Sequence, residues 1–305
     1  MDFKFHTLDV FTDTRFSGNP LAVVEEADAL TTEQMQAIAH EFNLPETIFI
    51  RSPKKPGHSA SVRIFTPTNE IPFAGHPTIG VAILLAHLTA PNINGEQDAL
   101  IVLEEEIGTV RVGVRLASGE PAYGEFRAPK LPLDAGALPE VDRIGAAIGL
   151  IPSEIGFENH KPTCFAAGNA FAFVPVATLS AMRKAAVQPL GWADAFEQQG
   201  LVGVYLYTRQ CEHTDSAFHS RMFAPGMGVP EDAATGSAAV CLAGVIQKFD
   251  MLRDGTHRRR IEQGYEMGRP SHIDLTIVVE GGVLNAVRIG GNAVRLAHGT
   301  LTVDV

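Results

Sequence analysis

Three groups of residues carry side chains suited to moving protons. Glu46 opens Glu46-Thr-Ile-Phe-Ile50, which reads as a strand with Glu46, Ile48 and Ile50 on one face. A carboxylate aligned with two isoleucines loses hydration, which raises its pKa and suits it to proton transfer near neutral pH. The plainer alternative is a solvated glutamate at a strand entry. His76 follows Gly75 at the start of a small, apolar stretch. The positive end of a helix there would keep the imidazole neutral and able to give or take a proton; the alternative is a core or turn histidine. Asp232 precedes Thr235-Gly236-Ser237. Free N–H groups at a helix start, with two hydroxyls, form a small carboxylate cradle. Ala233 and Ala234 would let a ligand approach closely, although Asp232 could equally be a loop cap.

Other chemistries find less support. No Gly-x-Gly-x-x-Gly opens a βαβ unit and no Walker A segment occurs. Gly236-Ser237 is not part of a Gly-x-Ser-x-Gly elbow. His213 and His219, near Glu212 and Asp215, have the composition of a metal cluster. Their spacing matches no ligand motif, so a loop and a strand start are expected there and no metal site. The inventory is acid, base and hydrogen-bond donors without an electron carrier, which suits proton relocation or a simple elimination without a cofactor.

The 305 residues carry 24 Lys+Arg against 35 Asp+Glu, a net charge of −11. That charge disfavours nucleic acid as a partner but permits a small anionic substrate held by local N–H groups. With 45% hydrophobic residues the chain can bury two cores, and its length fits two domains. Cys164, Cys211 and Cys241 are odd in number and lack CxxC spacing, so neither a disulfide framework nor a thiolate zinc site is expected. The N-terminus lacks a secretory pattern, and the longest apolar stretch, Ile79–Leu88, is short of a membrane span. A soluble cytoplasmic protein is expected.

Elements placing the three groups can be read from periodicity. Met1–Asp9 alternates as a strand and Leu21–Glu25 is another. Thr31 is an N-cap with Gln34 at the capping-box position, before Met35, Ile38, Ala39 and Phe42 at helical spacing; Asn43 and Pro45 end the helix. Strands follow at 46–50 and 60–65, then a buried helix from Gly75 with Pro77 in its first turn. Strands at 99–104 and 109–115 lead to a boundary candidate at Ala117–Pro121, and 132–151 reads as loop plus a short helix. In the second half, strands are expected at 164–175, 202–208 and 217–223, then a small-residue helix from Thr235-Gly236. Strands at 273–279, 286–289 and 293–305, separated by glycine turns, complete the reading.

Arg63-Ile-Phe65-Thr-Pro67 returns as Arg221-Met-Phe223-Ala-Pro225, 158 residues later (221 − 63). Each copy leads through a loop to a glycine-started helix, the order an internal duplication would leave. Two similar halves would set the helix starts at Gly75 and Gly236 across one cleft, a common place for a ligand.

At these residues the chain resembles the PhzF-type phenazine-biosynthesis family, whose fold is that of diaminopimelate epimerase. The resemblance runs through Phe16-Ser-Gly-Asn-Pro-Leu-Ala-Val-Val24, Asn43-Leu-Pro-Glu-Thr-Ile-Phe49 and Ala74-Gly-His-Pro-Thr78. It continues in Glu231-Asp-Ala-Ala-Thr-Gly-Ser-Ala-Ala239 and Gln263-Gly-Tyr-Glu-Met-Gly-Arg-Pro-Ser271. It implies an α/β (α+β) protein of two pseudo-symmetric halves, each a curved mixed sheet or barrel around a buried helix, with the site in the cleft between them. The halves would be 1–118, joined by a returning segment 293–305, and 119–292.

The resemblance places the family's acid/base glutamate on Glu46, its ligand-contacting histidine on His76, and its aspartate and serine on Asp232 and Ser237. Gly75, Thr235 and Gly236 complete the substrate-binding set. The epimerase branch uses two opposed cysteines, which here are Ala74 and Ala233, so two-base thiol racemisation is not expected. The implied activity is a cofactor-independent isomerase in which Glu46 moves a proton between carbons on one face of a small cyclic or unsaturated carboxylate. The family's best known reaction is isomerisation of dihydro-hydroxyanthranilate. A homodimer is implied as well. Two other readings stay open: a hydrolase using Ser237, His76 and Asp232, and a non-catalytic ligand-binding protein on the same fold.

Overall fold

The computed structural model describes residues 1–90, 95–196 and 200–304. It is a mixed α/β protein that separates into two compact units, Met1–Pro129 with Ile289–Val305, and Lys130–Arg288. In the first unit, β1 (Asp2–Val10) pairs antiparallel with β2 (Asn19–Val24). Helix α1 (Thr32–Phe42) follows, and its start carries the expected capping box: the Thr31 hydroxyl accepts from the Gln34 N–H, and the Gln34 side chain accepts from the Thr31 N–H. Asn43 ends the helix in the left-handed region, φ 50°. The buried face of α1, Met35 and Ala39, packs with Val24, Phe49 and Phe65.

Strand β3 (Glu46–Arg51) joins β2 in parallel, and β4 (Ala60–Phe65) joins β3 antiparallel. A short β5 (Glu70–Ile71) turns back on β4. After α2 (Gly75–Thr89), β6 (Glu96–Glu105) runs parallel to β4 and pairs with β7 (Gly108–Ala117), which pairs with β8 (Ala122–Arg127). The β7–β8 pairing keeps the chain beyond Ala117–Pro121 in the first unit, whose boundary falls at Pro129.

The second unit starts with β9 (Leu133–Gly136) and α3 (Val141–Ile148). The single strand expected at 164–175 is two, β10 (Thr163–Ala167) and β11 (Asn169–Pro175), folded back on each other. Gly168, at φ 105°, supplies the positive dihedral of that tight turn, which an apolar run hides from a periodicity reading. Two short helices, α4 (Leu179–Lys184) and α5 (Pro189–Ala195), were not legible in advance. Strands β12 (Gly203–Thr208), β13 (Phe218–Ala224) and β14 (Val229–Asp232) precede α6 (Gly236–Asp250). Strands β15 (Gly255–Gln263) and β16 (Ser271–Glu280) form an antiparallel pair.

The two strands expected at 286–289 and 293–305 are one, β17 (Val283–Thr302), whose later residues pair with β1 from Asp2↔Thr302 to Val10↔Ala293. Gly290 makes no turn. A Cβ there would lie 2.2 Å from the Tyr123 hydroxyl, so the glycine serves close approach.

The duplication extends well past the five-residue match. In each unit six pairings recur in the same order: antiparallel, parallel, antiparallel, antiparallel, parallel, antiparallel. The register agrees as well. Ala60 faces Leu103 and Ser61 faces Glu104; Phe218 faces Ile261 and His219 faces Glu262, each number 158 higher. Arg63 grips Glu70 through two N–H groups at 2.7 and 2.6 Å, and Arg221 grips Glu231 through two at 2.8 Å. Glu104 accepts from the backbone N–H groups of Lys54 and Lys55, and Glu262 from those of Glu212 and His213. Each unit carries one helix with 11 of 15 residues buried, α2 and α6 respectively. Small residues let neighbouring strands pack closely on such a helix.

Candidate active site

Glu46 is the first residue of β3, in parallel register with Leu21. Ile48 and Phe49 beyond it are fully buried, which anchors the strand and leaves its first residue at the edge of the core. His76 is the second residue of α2. The N-cap of that helix is Ala74, whose side chain offers no capping hydrogen bond, so the first-turn N–H groups are not taken up by a cap side chain. His76 Nε2 lies 3.2 Å from Glu46 Oε2, with side-chain exposures of 3% and 16%. The alignment falls short of a hydrogen bond. Burial pushes the imidazole pKa down to about 3. The pair is therefore a neutral imidazole beside a carboxyl group at the water edge, as expected for His76 but with burial as the cause. A neutral ring can donate from one nitrogen and accept at the other.

In the second unit, Asp232 ends β14 and Thr235 is the N-cap of α6. The Thr235 hydroxyl donates to Asp232 Oδ2 at 2.6 Å. Gln263, fully buried at the end of β15, closes a ring around them. Its Oε1 accepts from the Thr235 N–H at 3.2 Å, and its Nε2 donates to the Asp232 carbonyl at 2.8 Å and to the Thr235 hydroxyl at 3.0 Å. The loop-cap alternative for Asp232 thus holds locally, and the same contacts fix the carboxylate in place. Gly264 follows at φ 79°, where a Cβ would sit 2.7 Å from the Ala233 carbonyl. Only glycine lets the end of β15 come this close. Gly236 is buried and Ser237 half-buried in the first turn of α6.

Gly75, Glu46 and His76 thus meet at the start of α2, and Asp232, Thr235, Gly236 and Ser237 gather at the start of α6. His76 faces a glutamate and Asp232 a threonine hydroxyl, so each unit pairs its own acid. Sequence reasoning passed over Gln263, although it opens one of the motifs quoted for the resemblance. It also passed over Thr78, Glu105, Glu262 and Glu266.

His219 lies in β13, fully buried, with Nδ1 2.8 Å from Glu262 and Nε2 3.0 Å from Glu266. The two carboxylates raise its pKa to about 9 against the opposing effect of burial. It is an imidazolium clamped between acids. Among the described residues no group of His, Cys, Asp and Glu has the arrangement of a metal site. None of the described helices is long and apolar enough to cross a membrane.

Two internally repeated α/β units each carry a buried helix whose first turn holds imidazole or hydroxyl groups with an acid from a neighbouring strand beside it. Residues 8–299 match the family model described as phenazine biosynthesis-like protein. The chain belongs to that family, and isomerases are among its named relatives. It is 47% identical over 297 residues to an uncharacterized isomerase of Mesorhizobium japonicum, covering 96% of both chains. It is 32% identical over 295 residues to trans-2,3-dihydro-3-hydroxyanthranilate isomerase of Pseudomonas chlororaphis, covering 96% of this chain and 97% of that one. A crystal structure of a PhzF-family protein of Bacillus anthracis superposes with a TM-score of 0.86 at 21% identity, covering 99% of this chain and all of the other; this likeness bears on the fold.

Proposed function

We propose that this protein is a cofactor-independent isomerase that moves a proton between two carbons on one face of a small cyclic or unsaturated carboxylate. Glu46 takes the proton from one carbon and returns it to another. His76, neutral and buried, orients the ligand and relays a proton to and from Glu46. Asp232, held by Thr235 and Gln263, orients the substrate, while Ser237 and the N–H groups near Gly236 receive its carboxylate. The observation that carries this reading is the Glu46–His76 pair, an acid at the water edge 3.2 Å from an imidazole 3% exposed. The family resemblance puts the two thiols of a two-base racemase at Ala74 and Ala233, and an alanine can carry no proton, which supports a single carboxylate doing both transfers.

Acid–base catalysis by a well-placed group supplies about 10²–10⁴ in rate, so orientation must supply much of the remainder. The relative from Pseudomonas chlororaphis is named for trans-2,3-dihydro-3-hydroxyanthranilate, which makes that compound the first substrate to try. A homodimer working in the cytoplasm completes the proposal. The Glu46→Gln variant keeps the shape of the side chain and removes its acid–base function. It should bind the substrate as wild type does and turn it over at least about 10²-fold more slowly. Full activity in Glu46→Gln would remove the proton carrier from this account.

A further inference from the structure

Glu105, the last residue of β6, is buried and lies outside the set discussed so far. Its Oε1 is 2.7 Å from the Thr78 hydroxyl, and that hydroxyl is also 2.7 Å from the Ala74 carbonyl. Thr78 has one hydroxyl proton. Two short links to oxygen acceptors need two protons, and the carbonyl can supply none. The second proton belongs to Glu105. As an acid it donates to Thr78, and Thr78 donates to Ala74. The other oxygen, Oε2, is buried and makes no hydrogen bond, an environment that a carboxylic acid tolerates far better than a carboxylate.

The internal duplication gives the same answer independently. Ser61↔Glu104 in one unit corresponds to His219↔Glu262 in the other, so Glu105 occupies the place of Gln263. Gln263 is a neutral side chain that both donates and accepts at the start of α6. A protonated glutamate is the nearest match to glutamine in shape and hydrogen-bonding capacity.

We propose that Glu105 is a neutral carboxylic acid in the working protein and positions the His76 turn of α2 through Thr78. This rests on His76 being a working residue of the site. Ala74, His76 and Thr78 lie within the first turn of α2 and its cap, so pinning the Ala74 carbonyl fixes the ring that faces Glu46. Several of the charged groups near Glu105 are engaged with other partners. Arg63 is paired with Glu70, and Glu104 with His58 and the N–H groups of Lys54 and Lys55. Arg51 lies 3.7 Å from Asp28. Arg51, Lys54, Arg63, Glu70, Glu104 and Glu106 line a cavity of about 260 Å³ that Glu105 also borders. From α2 the titratable group beside Thr78 is His76, and β7 sets uncharged Gly108 opposite Glu105. Burial pushes the Glu105 pKa up to about 8.

The test uses the full chain without substrate. His76 ring signals, assigned by loss in His76→Asn, are followed by NMR from pH 6 to pH 10 in wild type, Glu105→Gln and Thr78→Val. Wild type should show a shift with its midpoint near pH 8. Glu105→Gln, which donates at every pH, should hold the wild-type pH 6 positions throughout. Thr78→Val should lose the response while staying folded by circular dichroism. A wild-type His76 signal at pH 6 that differs from that of Glu105→Gln, or a midpoint that persists in Glu105→Gln, overturns the proposal. The proton-carrier reading is tested separately by Glu46→Gln turnover, so each can fail alone.

Discussion

Replacing His76 with asparagine isolates the cost of keeping a neutral imidazole in the core. In the folded protein burial holds its pKa at about 3, against an ordinary value of 6.5. As pH falls below 6.5 the unfolded chain takes up a proton that the folded chain refuses, so stability is lost between pH 6.5 and pH 3. At about 1.36 kcal/mol per pH unit, the loss is near zero at pH 7 and about 2 kcal/mol at pH 5. The variant carries no such group. Whatever packing it loses at pH 7, its stability relative to wild type should improve by about 2 kcal/mol on moving to pH 5. Urea unfolding of both proteins at the two pH values measures this as a difference of differences, in which the other titrating groups cancel. An unchanged difference would mean that the ring is not buried as a neutral group. A relative gain for wild type at pH 5 would mean that Glu46 holds His76 as an imidazolium, and the reasoning from burial would be refuted.

His219 should behave in the opposite sense. Its folded pKa is raised to about 9, so its stabilisation is complete below pH 6.5 and lost as pH rises through 9. The deficit of His219→Gln against wild type should shrink by about 3 kcal/mol between pH 6 and pH 10 in the same unfolding assay; a deficit independent of pH would contradict the imidazolium. Gly290→Ala puts a Cβ 2.2 Å from the Tyr123 hydroxyl and should cost about 1–3 kcal/mol in denaturant unfolding. Most of that cost should vanish in a Tyr123→Ala background, and an additive double variant would show that the close approach is not the cause.

Local signals with a stereochemical mechanism were legible in the chain. Thr31 and Gln34 announced the α1 cap because the capping box needs only residues three apart. The Arg63 and Arg221 motifs disclosed the duplication, and the structure extends it to six pairings and a shared register. The start of α2 was found because glycine, proline and small apolar residues have few other uses in such a run. The Gly168 turn was missed because it divides a run that is apolar on both sides. Gly290 was misread because a glycine for close approach looks like a glycine for a turn until Tyr123 is placed beside it. Strand β15 was passed over because its first six residues, Gly255–Arg260, are polar and partly exposed. Glu105 and Gln263 were invisible as a pair, since they differ in residue type and act on helix starts 27 and 28 residues away in sequence. Only the register of two parallel strand pairs makes them equivalent.

The central claim, that one carboxyl group carries a proton from carbon to carbon, is tested most directly by following a label. Trans-2,3-dihydro-3-hydroxyanthranilate, or whichever carboxylate the protein turns over, is deuterated at the carbon that loses its hydrogen and converted in ordinary water under single-turnover conditions. Glu46 as the proton carrier should deliver a measurable fraction of that deuterium to the receiving carbon, seen by mass spectrometry and NMR of the product. Product whose new hydrogen comes wholly from solvent, with undiminished turnover in Glu46→Gln, would contradict it.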